Sequence, residues 1–206
     1  RTIDPKLLEL NKNGYLNGHT PFSAYLAFLS TLAAVLYDFK NIIVSNEASS
    51  DEANLKWKGL EINHQYSKTS QFEKDFRNYS KKYLTTSTNY FSFLRNKGEL
   101  EIAEIFSKMP KYHKLFRSCN KRSLRDKSLK GSKENVWCGK CAKCVSTYLI
   151  LYPFLGRKVE KIFGKNLLED ESLITVVESL LGKKMAKPFE CVATRYEIKT
   201  AIALGI

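Results

Sequence analysis

Three cysteines recur at two-residue intervals in the segment WCGKCAKC, as Cys138, Cys141 and Cys144, and Cys119 lies upstream in the tripeptide SCN. Three thiols this close cannot pair among themselves without leaving one over. As thiolates they can supply three corners of a tetrahedral zinc site, with Cys119 closing the fourth; a C-x18-C-x2-C-x2-C run has that ligand spacing. Four cysteines also hold iron–sulfur clusters, which makes these the main rival. Disulfides rank last, because the chain carries no secretory signature and otherwise reads as cytoplasmic. Four thiolates leave an ion no open position, so the expected zinc is structural. Cys191, near Phe189, Val192 and Ala193, reads as a buried spare thiol.

Three further groups could do chemistry. Asn17, Gly18 and His19 precede a helix whose N-terminal amides suit a phosphate or carboxylate, with His19 as an added donor or proton carrier. Asn46, Glu47, Ser50, Asp51 and Glu52 follow a buried strand, and a carboxylate among them could hold magnesium or move a proton. His64, Gln65, Tyr66, Ser67 and Lys68 form the densest cluster. Read as a strand, it would put His64, Tyr66 and Lys68 on one face. His64 is then the candidate base or acid, and Lys68 a phosphate or carboxylate contact.

The elements that must position these groups follow from local patterns. Thr20-Pro21 is a helix start, and Phe22 to Tyr37 is apolar on almost every face, which predicts a helix buried against more than one neighbour. Asn41 to Val44 is a short β-branched run that reads as a central parallel strand. The polar loop at its carboxyl end is where α/β sheets bind ligands. Phe72, Phe76, Tyr79 and Tyr83 mark an amphipathic helix over 71–84. Further helices are expected over 99–109, 167–181 (closed by Gly182) and 190–204. Apolar residues 145–154 should pack the cysteine knuckle onto the core.

Composition sets the limits. The 206 residues, 43% hydrophobic and 12% aromatic, suffice for one core or a core with a small satellite. The stretch from Phe22 falls short of the roughly 18 residues that cross a bilayer. Arg1-Thr2-Ile3 is neither a start methionine nor a signal peptide, and the chain reads as a piece of something longer. Net charge is +13, and a four-thiolate zinc site would leave about +11. Ten basic residues and one acid, Asp126, lie between Lys108 and Lys133. That run could grip nucleic acid or a phosphorylated small molecule, or be a solvated loop; no aromatic-interleaved RNA motif accompanies it.

The runs NGHTPFSAYLAFLSTLAAV, NIIVSNEASSDEAN, INHQYSKTSQFEKDFRNY, YFSFL, RSCN and WCGKCAKC together resemble the bacterial UDP-N-acetylmuramoyl-L-alanyl-L-glutamate epimerases, over about residues 1–156. More distantly the order of elements is similar to 7-cyano-7-deazaguanine synthase. Both belong to the nucleotide α-hydrolase-like group of ATP pyrophosphatases. The resemblance implies an α/β fold, helix-rich and forming the C-terminal part of that architecture, with the zinc knuckle appended. It also implies a reaction: inversion of the terminal L-glutamate of a UDP-muramoyl dipeptide through an acyl-adenylate, with ATP consumed to AMP and pyrophosphate in the presence of Mg2+. Epimerisation needs a proton carrier on each face of the α-carbon, roles that His64 with Lys68 or Tyr66 could fill. Asn17, Gly18, His19, Asn46, Glu47 and Ser50 would contact the cofactor.

One departure stands out. The group's glycine-rich SGGxDS-type phosphate loop appears nowhere in these residues; Gly14 and Gly18 are isolated. The expectation is that the loop lies upstream and that this chain is inactive alone. The expected division is an α/β part over 1–110, a basic segment with the knuckle over 111–156, and a helical tail over 157–206. The competing expectations are a sister ATP pyrophosphatase and a zinc-knuckle module that binds nucleic acid.

Overall fold

The computed structural model describes residues 4–13, 21–119, 137–183 and 186–205. Asn17, Gly18 and His19, and the basic run from Lys121 to Lys133, lie outside the described residues. The chain is mixed α/β and helix-rich: α1 (Pro5–Lys12), α2 (Phe22–Leu36), β1 (Asn41–Val44), β2 (Leu55–Trp57), β3 (Leu60–Ile62), α3 (Ser70–Tyr83), β4 (Asn89–Ser92), α4 (Glu99–Ser107), α5 (Pro110–His113), α6 (Ala142–Leu155), α7 (Glu160–Phe163), α8 (Ile174–Leu180) and α9 (Arg195–Gly205). Short 3-10 turns cover Ala48–Asp51 and Tyr66–Lys68. Among the described residues, no helix is long and apolar enough to cross a membrane.

The strand at 41–44 is parallel, as its β-branched run predicts, but among the described residues it is not central. It pairs with β4 alone among the described residues, Ile42 opposite Tyr90 and Val44 opposite Ser92. Between them lies α3, capped by Thr69, whose Oγ1 accepts from Phe72 N at 3.1 Å. Its apolar stripe turns inward, with Phe76 edge-on to Tyr90 (centroids 4.8 Å) and to Phe28 of α2 (5.0 Å). Ala27, Ala34, Ile42, Phe76 and Tyr90 form this first core.

Helix α2 departs from expectation. Ala27, Thr31 and Ala34 are buried, but Tyr25, Leu29, Leu32 and Leu36 form a stripe 45–71% exposed. The described residues supply neighbours on one side only, namely the small sheet, α3 and the 66–68 turn.

The larger core surrounds α6. Its residues Cys144 to Leu151 are all buried, because α4, α8 and α9 pack around it. Trp137, just before the cysteines, sits between Phe116 and Phe163 (centroids 5.1 and 4.5 Å) and fixes the knuckle to this core. The two cores are pinned together by α9. Glu197 Oε1 accepts from Ser49 Oγ (2.9 Å) and from Leu100 N (3.1 Å), while Oε2 accepts from Thr194. The helix expected over 190–204 starts later, at Arg195, after Thr194 caps it through Glu197. That expected over 167–181 shortens to α8 behind a 3-10 turn, and Gly182 closes it at φ +80°.

Candidate functional site

Residues 63–68 are not a strand. After β3 the chain turns, and Tyr66–Lys68 is a 3-10 turn leading into the Thr69 cap. Local geometry drives this: Thr69 Oγ1 donates to Tyr66 O (2.7 Å) while accepting from α3. His64, Tyr66 and Lys68 therefore do not share a face. The Tyr66 hydroxyl donates to Asp75 on the exposed side of α3 (3.3 Å) and lines neither of the cavities described below.

His64 is held by both ring nitrogens. Buried Asn54 fixes one side: its Nδ2 donates to Pro188 O (2.8 Å), so its Oδ1 accepts from His64 N (3.0 Å) and from Nδ1 (2.8 Å). Nδ1 thus carries the proton, and Nε2 accepts from Gln65 Nε2 at 2.9 Å. Gln65 in turn presents its Oε1 to the thiol of Cys191, which donates at 2.9 Å. The Lys68 ammonium reaches the same sulfur at 3.4 Å. Cys191 is half-buried and at the end of a relay, not the buried spare thiol its apolar neighbours suggest.

The loop after β1 lies at the carboxyl ends of both parallel strands. Asn46 turns its carbonyl to Ser92 Oγ (2.6 Å), and Ser50 Oγ donates to the carbonyls of Glu47 (2.7 Å) and Lys68 (3.0 Å). Asp51 is committed to structure, since its Oδ1 accepts from Ser70 N at 2.7 Å in the first turn of α3. Glu52 is taken by Lys187 and by Arg195 N. Glu47 alone of these carboxylates lines a cavity of about 230 Å3, between the strand ends, α4 and α6. Glu99 and Lys143 share that cavity, paired at 3.4 Å with each side chain 13% exposed, against an apolar wall that includes Phe106 and Phe116. Burial first, and then the Glu99 charge, raises Glu47 above its ordinary 4.5. Burial lowers Lys143, but the neighbouring acids, Glu99 foremost, outweigh it and the net direction is up. A narrow second cleft is lined by Glu47, Gln65, His64, Glu190 and Cys191. Glu47 therefore faces both spaces.

Lys143 and Glu99 are absent from the residues singled out by sequence, and Cys191 figures there only as a spare thiol. Only Lys143 left a signal there, as the lysine enclosed between two ligand-spaced cysteines. Folding brings in the others from distant segments.

Cys119, Cys138, Cys141 and Cys144 do converge, with all four sulfurs within 4.8 Å of one another. Cys144 lies 3.7 Å from Cys138 and 3.5 Å from Cys141. Tetrahedral zinc–sulfur geometry calls for sulfurs about 3.8 Å apart, so this donor set could hold a metal ion. Hydrogen bonding with Cys144 draws the Cys141 thiol down to about 5, while the same contact pushes Cys144 up. The knuckle is also a scaffold. Lys143 stands between Cys141 and Cys144 in the first turn of α6, its amide donating to Glu190 Oε2 at 3.0 Å.

The described residues thus place a buried carboxylate–ammonium cavity at the ends of parallel strands, where α/β sheets bind ligands, beside a four-thiol knuckle. Comparison narrows the class. The MurL N-terminal domain model matches residues 1–93 and the MurL C-terminal domain model matches residues 115–205. Over 99% of its length the chain is 39% identical to the UDP-N-acetyl-alpha-D-muramoyl-L-alanyl-L-glutamate epimerase of Micromonospora sp. and 37% identical to that of Salinispora tropica. It is 36% identical, again over 99%, to the enzyme of that name from Xanthomonas oryzae pv. oryzae. The chain belongs to the MurL family. It spans 44–45% of the length of these relatives. No solved structure matches it.

Proposed function

We propose that this chain carries the proton-transfer part of an ATP-dependent epimerase that inverts the terminal glutamate of UDP-N-acetyl-α-D-muramoyl-L-alanyl-L-glutamate. The observation that carries the reading is identity of 36–39% across 99% of the chain to three enzymes of that name. The charged cavity gives it a chemical basis. A proton next to a free carboxylate is hard to remove, because the carbanion would form beside a negative charge; ATP with Mg2+ would supply activation of that carboxyl group. The chain offers no glycine-rich phosphate loop of its own, so its residues are assigned to the glutamyl end of the substrate.

Glu47 is the base. Burial keeps it less acidic than a free carboxylate, hence a better proton acceptor, and it opens onto both the cavity and the cleft. Lys143 is the buried cation placed to hold a substrate carboxylate, and Lys68 adds positive charge beside Cys191. His64 acts through Gln65 rather than on the substrate, since both its ring nitrogens are engaged. The knuckle holds zinc, which as a four-thiolate ion is structural. Nothing in the geometry gives Tyr66 a part.

The test uses the full-length protein with ATP, Mg2+ and the UDP-muramoyl L-alanyl-L-glutamate substrate, followed by hydrolysis and determination of glutamate chirality. D-Glutamate together with AMP supports the assignment. AMP without inversion makes the chain part of a sister ATP pyrophosphatase, and neither product removes it from ATP-dependent chemistry.

A further inference from the structure

The parallel pair β1–β4 shows more open surface than a finished sheet does. Parallel sheets are covered on both faces, and two strands alone are marginal in water. Here α2 and α3 cover one face, over Ile42 and Tyr90. On the other face Ile43 is 60% exposed, opposite half-buried Phe91, and Phe93 beyond it is 77% exposed.

β1 also has an open edge. The carbonyls of Lys40 and Val44 accept from Asn89 N (2.8 Å) and Phe93 N (2.9 Å). By strand alternation the amide and carbonyl of Ile43 therefore point away from β4. No strand among the described residues meets them. The sequence Asn41-Ile42-Ile43-Val44 carries neither the charge nor the proline that keeps edge strands from pairing.

This edge and the outward stripe of α2 form one surface. Helix α2 contacts β1 as α3 contacts β4, and Phe28 of α2 meets Phe76 and Tyr79 of α3, so both helices lie on the same face. Parallel crossovers are right-handed, which sets β4 to one side of β1. By the same rule, a parallel strand that feeds α1, α2 and then β1 lies on the other side, at the free edge. Its place is beneath Leu29, Leu32 and Leu36, the part of α2 that β1 leaves uncovered.

We propose that in the full-length protein the segment preceding α1 adds a parallel strand to the free edge of β1, under the outward stripe of α2, and that the same part of the protein covers Ile43 and Phe93. The chain spans 44–45% of the length of its relatives, so the longer protein has the residues to build this layer. A parallel strand there ends on the same side of the sheet as Val44. The loop that follows it runs beside residues 45–52 and borders the Glu47 cavity, which is then shared between the two parts. None of this depends on which reaction the cavity serves.

Full-length wild type tests it by hydrogen exchange and hydroxyl-radical footprinting over a concentration series, with sedimentation velocity to give the oligomeric state. In the monomer the Ile43 amide should exchange at least about 100-fold more slowly than an unstructured amide, as ladder-bonded amides do. Leu32, Leu36, Ile43 and Phe93 should react with radicals far less than in urea-unfolded protein. Free exchange at Ile43, with those side chains as reactive as when unfolded, overturns the proposal. Protected side chains with free exchange at Ile43 mean packing without an added strand, and overturn it too. Protection that appears only as dimers form gives the surface to a second copy and likewise overturns it. Failure of the wild type to form D-glutamate strikes the epimerase reading and leaves these readouts untouched.

Discussion

The Arg95 guanidinium holds the buried Glu73 carboxylate from across β4, Nε to Oε2 at 3.0 Å. Its remaining nitrogens donate to the carbonyls of Glu47 (3.1 Å) and Lys68 (3.0 Å), so one side chain spans the two loops that carry the candidate site. Glu73 keeps a second partner in Arg77 (2.7 Å). Arg95→Met should cost about 3 kcal/mol, the scale for removing one partner from a buried ion pair. Urea unfolding measures it. Arg95→Lys should recover little, since one ammonium cannot serve three acceptors in that fork; full recovery would show that charge alone is needed.

Glu47 should weaken the fold while serving the chemistry. Burial and Glu99 raise its pKa in the folded chain above 4.5, so the native state binds this proton more tightly than the unfolded state does. The stability it contributes is present below pH 4.5 and is lost as pH rises through the folded value. Glu47→Gln, which cannot ionise, should therefore melt higher than wild type at pH 7, and the gap should close near pH 4. A variant that melts lower at pH 7 would contradict the sign.

Protein purified under reducing conditions should carry about one zinc per chain, the stoichiometry of a four-thiolate site. Cys138→Ser should lower metal content and melting temperature together, because a stripped ligand set leaves Trp137 and the first turn of α6 without their anchor. Elemental analysis beside a thermal melt reads both. Metal well under one per chain, with the thiols titrating as reduced, would count against the site.

The stripe of Tyr25, Leu29, Leu32 and Leu36 on α2 should make this chain self-associate when it is produced by itself. Sedimentation velocity across a concentration series should show growing oligomers, and Leu32→Glu with Leu36→Lys should shift them toward monomer. An unmodified chain that stays monomeric throughout would show that the stripe is covered.

Elements with a strong local pattern were legible from sequence. β1 declares itself by its β-branched run, α3 by its aromatic period, and the thiol cluster by spacing alone. Position in the fold was harder. All-round apolarity predicts burial of α2, but burial depends on what packs there, and the described residues cover one side. The 64–68 segment misled because an alternating pattern of polar residues also suits a turn, and the Thr69 hydroxyl decides between them. Cys191 meets Lys68 across 123 residues of sequence, and no local signal encodes such a meeting.

Lys143 lies two residues from one cluster cysteine and one from another, so its aim into the cavity is inherited from whatever closes the ring of sulfurs. In the proposed enzyme this would make trace-metal nutrition a variable of wall-precursor synthesis. A cell short of zinc would lose the ammonium's address along with the knuckle, and output would decline with metal supply even while substrate and nucleotide remained plentiful.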